Sequence, residues 1–140
     1  MLLLDTDVVS ELRKVRSGRA DPNLARWSET LDTADLFVSA ITICEIEIGV
    51  LLAERRDPRQ GAVFREWLET LVLSAFDGRI LPVDTAVARR AARLHVPEPL
   101  PINDAFIAAT ALVHGMTVVT RNLADFASTG VPSFNPWDSK

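Results

Sequence analysis

The chain has 140 residues, 48% hydrophobic and 24% charged, which suits a single soluble domain over 1–140, and no apolar run nears the ~20 residues of a membrane span. Fifteen basic against 19 acidic residues give a net charge of -4, which argues against a nonspecific nucleic-acid coat. One cysteine, Cys44, excludes an internal disulfide and a metal-thiolate cluster; the early acid at Asp5 is unlike a secretory signal, so a cytoplasmic location with no membrane partner is expected.

Leu2, Leu3 and Leu4 make an apolar run too short for a helix, which reads as a buried strand delivering Asp5 and Asp7 at its carboxyl end. Residues 9–15 suggest a helix, broken by Ser17-Gly18 and by Asp21-Pro22-Asn23. Leu24, Trp27 and Leu31 share one face of a short helix over 24–31, and residues 36–39 form a second strand. A largely apolar helix over 42–54 follows. Asp57-Pro58 ends it and opens another that runs to about residue 76, before a turn at Asp77-Gly78.

Residues 79–83 give a third strand, and Asp84 or Thr85 caps a helix to about residue 94. Pro97, Pro99 and Pro101 keep residues 95–102 extended. Asn103 or Asp104 then opens a helix over 105–114, which Gly115 closes as a left-handed cap. Residues 116–120 form a fourth strand, 122–126 a turn or short helix, and 131–134 a last edge strand. Strands alternating with helices predict an α/β fold with a parallel sheet covered on both faces.

In such a sheet ligands bind beyond the carboxyl ends of the strands, where Asp5, Asp104 and the segment from Asn122 to Asp125 are expected. Singly, each acid has an innocent role as a helix cap, a dipole partner or a surface charge. Glu45 has Ile41, Cys44, Ile48 and Leu52 as helical neighbours, so it is expected to project from an apolar stripe, where a carboxylate is costly unless paired or metal-bound. Ile43, Ile46 and Val50 make the other side apolar too, and periodicity leaves Glu45 and Glu47 both open. Carboxylates without cysteine or paired histidine are the ligand set of a hard cation, Mg2+ or Mn2+, and point to metal-assisted phosphodiester hydrolysis. Thr120 is placed to hydrogen-bond a metal-holding carboxylate.

Cys44, inside an apolar helix, reads as a packing residue, and His95 and His114 end helices. Arg13, Lys14, Arg16 and Arg19, then Arg55, Arg56 and Arg59, then Arg89, Arg90 and Arg93 form three basic clusters, either solvated surface or grips for flanking phosphates. Asp5-Thr6-Asp7 after a strand also resembles the nucleophile motif of haloacid-dehalogenase-like phosphatases, but neither lysine, Lys14 or Lys140, is placed to steady a phosphoryl group.

Leu3-Leu4-Asp5-Thr6-Asp7-Val8-Val9 and Ser39-Ala40-Ile41-Thr42-Ile43-Cys44-Glu45 resemble the first two motifs of PIN-domain ribonucleases. Asn103-Asp104-Ala105-Phe106, Val118-Val119-Thr120-Arg121-Asn122-Leu123-Ala124-Asp125 and the ending Phe134-Asn135-Pro136-Trp137 extend the pattern over the whole chain, which is most similar to VapC-type toxins, including the FitB-type subgroup. The resemblance implies a three-layer α/β/α domain with a mainly parallel sheet. It also implies an endoribonuclease dependent on Mg2+ or Mn2+ and acting on structured RNA, often transfer RNA. Catalysis and metal binding fall on Asp5, Glu45, Asp104 and an acid of the last motif, which selects Glu45 over Glu47.

The implied partners are a small cognate VapB-type antitoxin, operator DNA reached only through that antitoxin, and a second copy of the chain in a homodimer. Two departures stand out. Asp7 replaces the asparagine of many relatives and adds a ligand or base; Asn122 stands where some have an acid, which leaves Asp125 as the fourth carboxylate, with Asp7, Thr120 and Asn122 in support. The competing reading is a PIN-fold module that binds DNA through its partner and regulates genes with little or no nuclease activity.

Overall fold

Three leucines build the central strand. In the computed structural model, which describes residues 1–139, the chain opens with β1 (Leu2–Leu4), α1 (Thr6–Leu12), α2 (Pro22–Ser28), β2 (Leu36–Ser39) and α3 (Ala40–Arg56). There follow α4 (Pro58–Glu66), a π-helical stretch (Trp67–Val72) continuing into α5 (Leu73–Ala75), β3 (Ile80–Leu81), α6 (Thr85–Leu94) and α7 (Ile102–His114). β4 (Thr117–Val119), α8 (Leu123–Phe126) and β5 (Ser133–Phe134) complete the fold. Lys140, one of the two lysines weighed above, lies outside the described residues.

The strands form one parallel sheet in the order β3-β2-β1-β4-β5. Leu2 is level with Leu36 and Thr117, and Leu4 with Val119, so β1, β2 and β4 end at one edge. The chain leaves β1 toward β2 and β3, then returns to β1's other side as β4. That reversal opens a crevice at the carboxyl ends of β1 and β4.

Alternation along the strands sets the layers. Leu4, Val38 and Val119 turn to one face, under Val8 and Val9 of α1, Leu24 of α2 and Ile46 and Val50 of α3. Leu3 and Val118 turn to the other, under Ile107 and Ala108 of α7 and Phe126 of α8. α6 packs outside α7 through Val87 and Ala91 against Ala105 and Ala109. The expected three-layer α/β/α architecture and parallel sheet are therefore present. No helix among the described residues is long and apolar enough to cross a membrane.

Several boundaries differ from the sequence reading. α1 begins at Thr6 rather than residue 9, because the Asp5 carboxylate accepts the Thr6 N–H at 2.8 Å and nucleates the helix at once. α7 begins at Ile102, before Asn103 and Asp104, with the Pro101 carbonyl accepting from Ala105 N–H at 3.0 Å. The third and fifth strands are shorter than expected. Cys44 is a correction: it is exposed, not a packing residue. The buried face of α3 runs through Thr42, Ile46, Val50 and Ala53, which turns Cys44, Ile48 and Leu52 outward, so the stripe beside Glu45 is surface. α3 is apolar on both sides, and periodicity carried no direction.

Candidate active site

The shared edge of the sheet gathers the acids. Asp5 follows β1 and is 8% exposed; its N–H donates to the Val119 carbonyl at 2.9 Å, which sets it beside Thr120 at the end of β4. The Thr120 hydroxyl, itself fully buried, donates to Asp5 Oδ2 at 2.8 Å and accepts from Asn122 N–H at 3.0 Å. Asp5 Oδ1 takes the Thr6 N–H, so both its oxygens are aimed. Burial pushes the Asp5 carboxyl above its ordinary range; the Thr120 and Thr6 hydrogen bonds oppose that, and repulsion from Glu45 and Asp125 adds to it.

Glu45 enters from α3. Thr6 donates its hydroxyl to Glu45 Oε1 at 2.6 Å, and Asn103 Nδ2 lies 3.5 Å from Oε2. Glu47 faces away and pairs with Arg65 Nη1 at 2.7 Å. Asp104 sits in the first turn of α7, where burial and the charges of Asp5, Asp125 and Glu45 push it up to about 6. Asp125, exposed in the first turn of α8, is near enough to repel both Asp5 and Asp104.

Asp7 flanks the group one residue into α1. Its Oδ2 accepts from Arg121 N–H at 3.3 Å and from Asn122 Nδ2 at 3.4 Å, while Oδ1 is buried with no hydrogen-bond partner. Burial and the nearby Asp5 push it up to about 6. The structure thus brings Asp5, Asp7, Glu45, Asp104 and Asp125 to one rim, with Thr120 and Asn122 between Asp5 and Asp7. It adds Thr6 and Asn103, which sequence reasoning missed. Thr6 follows Asp5 at the start of a helix and Asn103 precedes Asp104, but which acid each reaches depends on α3.

Beside the acids lies a recess of about 240 Å3 lined by Thr6, Ser10, Arg13, Glu45, Phe64 and Trp67. A larger one, about 320 Å3, shares Arg13 and Trp67, continues along Leu12, Leu71 and Phe76, and contains none of the acids. Arg13 divides them, stacked 4.7 Å from the Phe64 ring centre.

Among the described residues no three acidic, histidine or cysteine side chains stand close enough together to hold a metal ion between them as they lie. Yet Asp104 feels Asp5, Asp125 and Glu45 at once. A hard cation that keeps part of its water shell is reached through water by carboxylates that do not close on one point. The donors are all oxygen, one buried carboxylate oxygen lacks a partner, and both Asp5 and Asp104 hold protons more tightly than free carboxyls do. These residues fit Mg2+ or Mn2+.

A doubly wound parallel sheet whose switch point is ringed by carboxylates defines the class of protein. Residues 2–131 match the PIN domain family, and the chain belongs to it. It is 39% identical over 145 residues to Toxin FitB of Neisseria gonorrhoeae, covering 98% of this chain and 99% of that protein. It is 36% identical over 143 residues to VapC ribonuclease Y4jK of Sinorhizobium fredii, covering 99% of each. Among solved structures it resembles FitAcB from Neisseria gonorrhoeae, with a TM-score of 0.88 and 36% identity over 99% of each chain. FitAB bound to IR36 DNA fragment superposes equally well, with a TM-score of 0.88 and 35% identity over 100% of this chain and 98% of that one.

Proposed function

We propose that this chain is a divalent-metal-dependent endoribonuclease acting as the toxin of a type II toxin-antitoxin pair. The observation that carries the reading is the convergence of Asp5, Glu45, Asp104 and Asp125 on the crevice between β1 and β4, with Thr120 and Thr6 bonded to the Asp5 and Glu45 carboxylates. Asp5, Glu45, Asp104 and Asp125 would hold Mg2+ or Mn2+. When bound, the ion neutralises charge on the scissile phosphodiester and acidifies water. Thr120 and Thr6 keep the Asp5 and Glu45 oxygens turned into the crevice. Asp7, pushed up to about 6 by burial, is suited to take a proton from attacking water near neutral pH. Asn122 holds the other Asp7 oxygen.

The substrate is structured RNA, with transfer RNA the first to test; the relative named VapC ribonuclease supports the activity. A VapB-type antitoxin is the expected partner, and the paired recesses on either side of Arg13 offer it an apolar surface beside the acids. Contact with operator DNA falls to the complex rather than to this chain of net charge -4. The FitAB structure, bound to DNA, supports that arrangement and also a second reading, in which the protein regulates genes through its partner without cutting RNA. We infer further that the chain is one domain over 1–140, cytoplasmic, and a homodimer within the toxin-antitoxin assembly.

The experiment is incubation of antitoxin-free protein with total transfer RNA in Mg2+, Mn2+ or EDTA, beside Asp104→Asn. Discrete fragments requiring both metal and Asp104 are expected. Intact RNA in every lane from a folded protein that binds no divalent ion would sink the reading and favour the regulatory one.

A further inference from the structure

The structure treats the three basic clusters differently. In the first, Arg13 is spent on the rings of Phe64 and Trp67. In the second, Arg55, Arg56 and Arg59 surround the turn from α3 to α4, ten or more residues beyond Glu45, roughly 15 Å along the helix. The third lies on α6. Arg89, Arg90 and Arg93 recur with Ala86 at spacings of three and four, forming one outward face beside the buried Val87 and Ala91.

All three arginines are exposed, and with Ala86 and Val113 of α7 they line a shallow recess of about 200 Å3. Among the described residues no ion pair involves them. α6 carries no acid; Asp84 at its amino end is occupied capping the Val87 N–H at 2.9 Å. α6 packs along α7 through Val87 and Ala91 against Ala105 and Ala109, and only residues 95–101 join the end of α6 to the start of α7, so the two helices run antiparallel. The Arg93 end of α6 therefore lies toward the end of α7 that carries Asp104.

We propose that this face of α6 grips the phosphodiester backbone of the RNA substrate beside the cleaved bond. The proposal rests on the ribonuclease reading above. Three adjacent guanidiniums without counter-ions repel one another, and a polyanion offsets that cost. Each guanidinium fork matches two phosphate oxygens. Arg89 and Arg93 stand about 6 Å apart along the helix, so together the three reach more than one phosphate. The recess is open and shallow, which suits a nucleic-acid backbone laid across it toward the acids. The contact carries no base information, so it acts on affinity and register rather than on sequence choice.

The test is transfer-RNA binding to the full chain by fluorescence anisotropy, in EDTA to prevent turnover, over a series of salt concentrations. Wild type is compared with the triple variant Arg89→Gln, Arg90→Gln, Arg93→Gln and with Arg55→Gln, Arg56→Gln, Arg59→Gln, which loses the same charge elsewhere. Each lost phosphate contact flattens the plot of log affinity against log salt by ~0.7 to ~0.9, so the α6 variant is expected to lose about 2 in slope while the control keeps the wild-type slope. Thermal melts and Mn2+ titration should match wild type in both, since all six positions are exposed and glutamine suits helices.

An unchanged slope for the α6 variant overturns the proposal, and so does an equal loss in the control, which would show diffuse charge only. A loss confined to binding of a DNA duplex would assign the face to DNA and overturn it too. If wild type cuts RNA while the α6 variant keeps its slope, only this proposal fails. If wild type neither binds nor cuts RNA, the ribonuclease reading fails with it.

Discussion

Thr120 donates its buried hydroxyl to Asp5 Oδ2 at 2.8 Å across 115 residues of sequence, joining the ends of two adjacent parallel strands. Thr120→Val keeps the shape and removes the donor. The Asp5 oxygen then loses its aim, and divalent-ion affinity and cleavage rate should both fall ~10- to 100-fold. Thr120→Ser should restore most of both. Calorimetric metal titration beside RNA cleavage checks this; a variant that melts normally and keeps wild-type metal affinity would exclude the positioning role.

Asp104→Asn should separate activity from stability. Cleavage should drop by more than the ~100-fold expected for losing a supporting group, because a metal oxygen is lost outright. Without metal at pH 8 the variant should melt higher than wild type, since a charge is no longer buried at position 104 and Asp5, Asp125 and Glu45 no longer face a fourth one. A lower melting temperature under those conditions would mean that burial and repulsion do not disfavour the Asp104 carboxylate.

The same acids give the metal-free protein a pH dependence of known sign. Asp7 and Asp104 are both pushed up from ordinary values near 3.8 to about 6, so between those values the folded state binds more protons than the unfolded chain. Their effect is to make unfolding free energy fall as pH rises from about 4 to about 6, then level off. Mg2+ or Mn2+ should stabilise most at the upper end, where the carboxylates are charged. Urea midpoints across that range, with and without Mn2+, measure it, and stability rising through the window in EDTA would contradict it.

Gly61 is where α4 crosses α3 closely. A Cβ there would lie 2.4 Å from the Glu54 Cα, a backbone atom that cannot swing aside. Gly61→Val should cost about 1 to 3 kcal/mol through overpacking, visible as a lower urea midpoint. It would also disturb the surface on which Arg65 meets Glu47, Glu54 and Glu69. A midpoint equal to wild type would show that the two helices separate freely.

The sequence by itself determined the layers and most of the elements. The short run Leu2 to Leu4, the alternation of strands with helices, a cap at Asp84 or Thr85 and Gly115 as a left-handed helix end were all legible because they rest on neighbours along the chain. Asp5, Asp104, Asn122 and Asp125 could be placed at one rim for the same reason, since each adjoins an element end. Tertiary structure alone decided how α3 turns. With apolar residues on both sides, its direction came from packing Ile46 and Val50 beneath the sheet's first layer, which aimed Glu45 at Thr6, left Glu47 to Arg65 and exposed Cys44. It also decided which arginines found partners, because a guanidinium's partner depends on what the fold brings beside it: rings at Arg13, carboxylates at Arg65, and open solvent at Arg55, Arg56 and Arg59 and along α6.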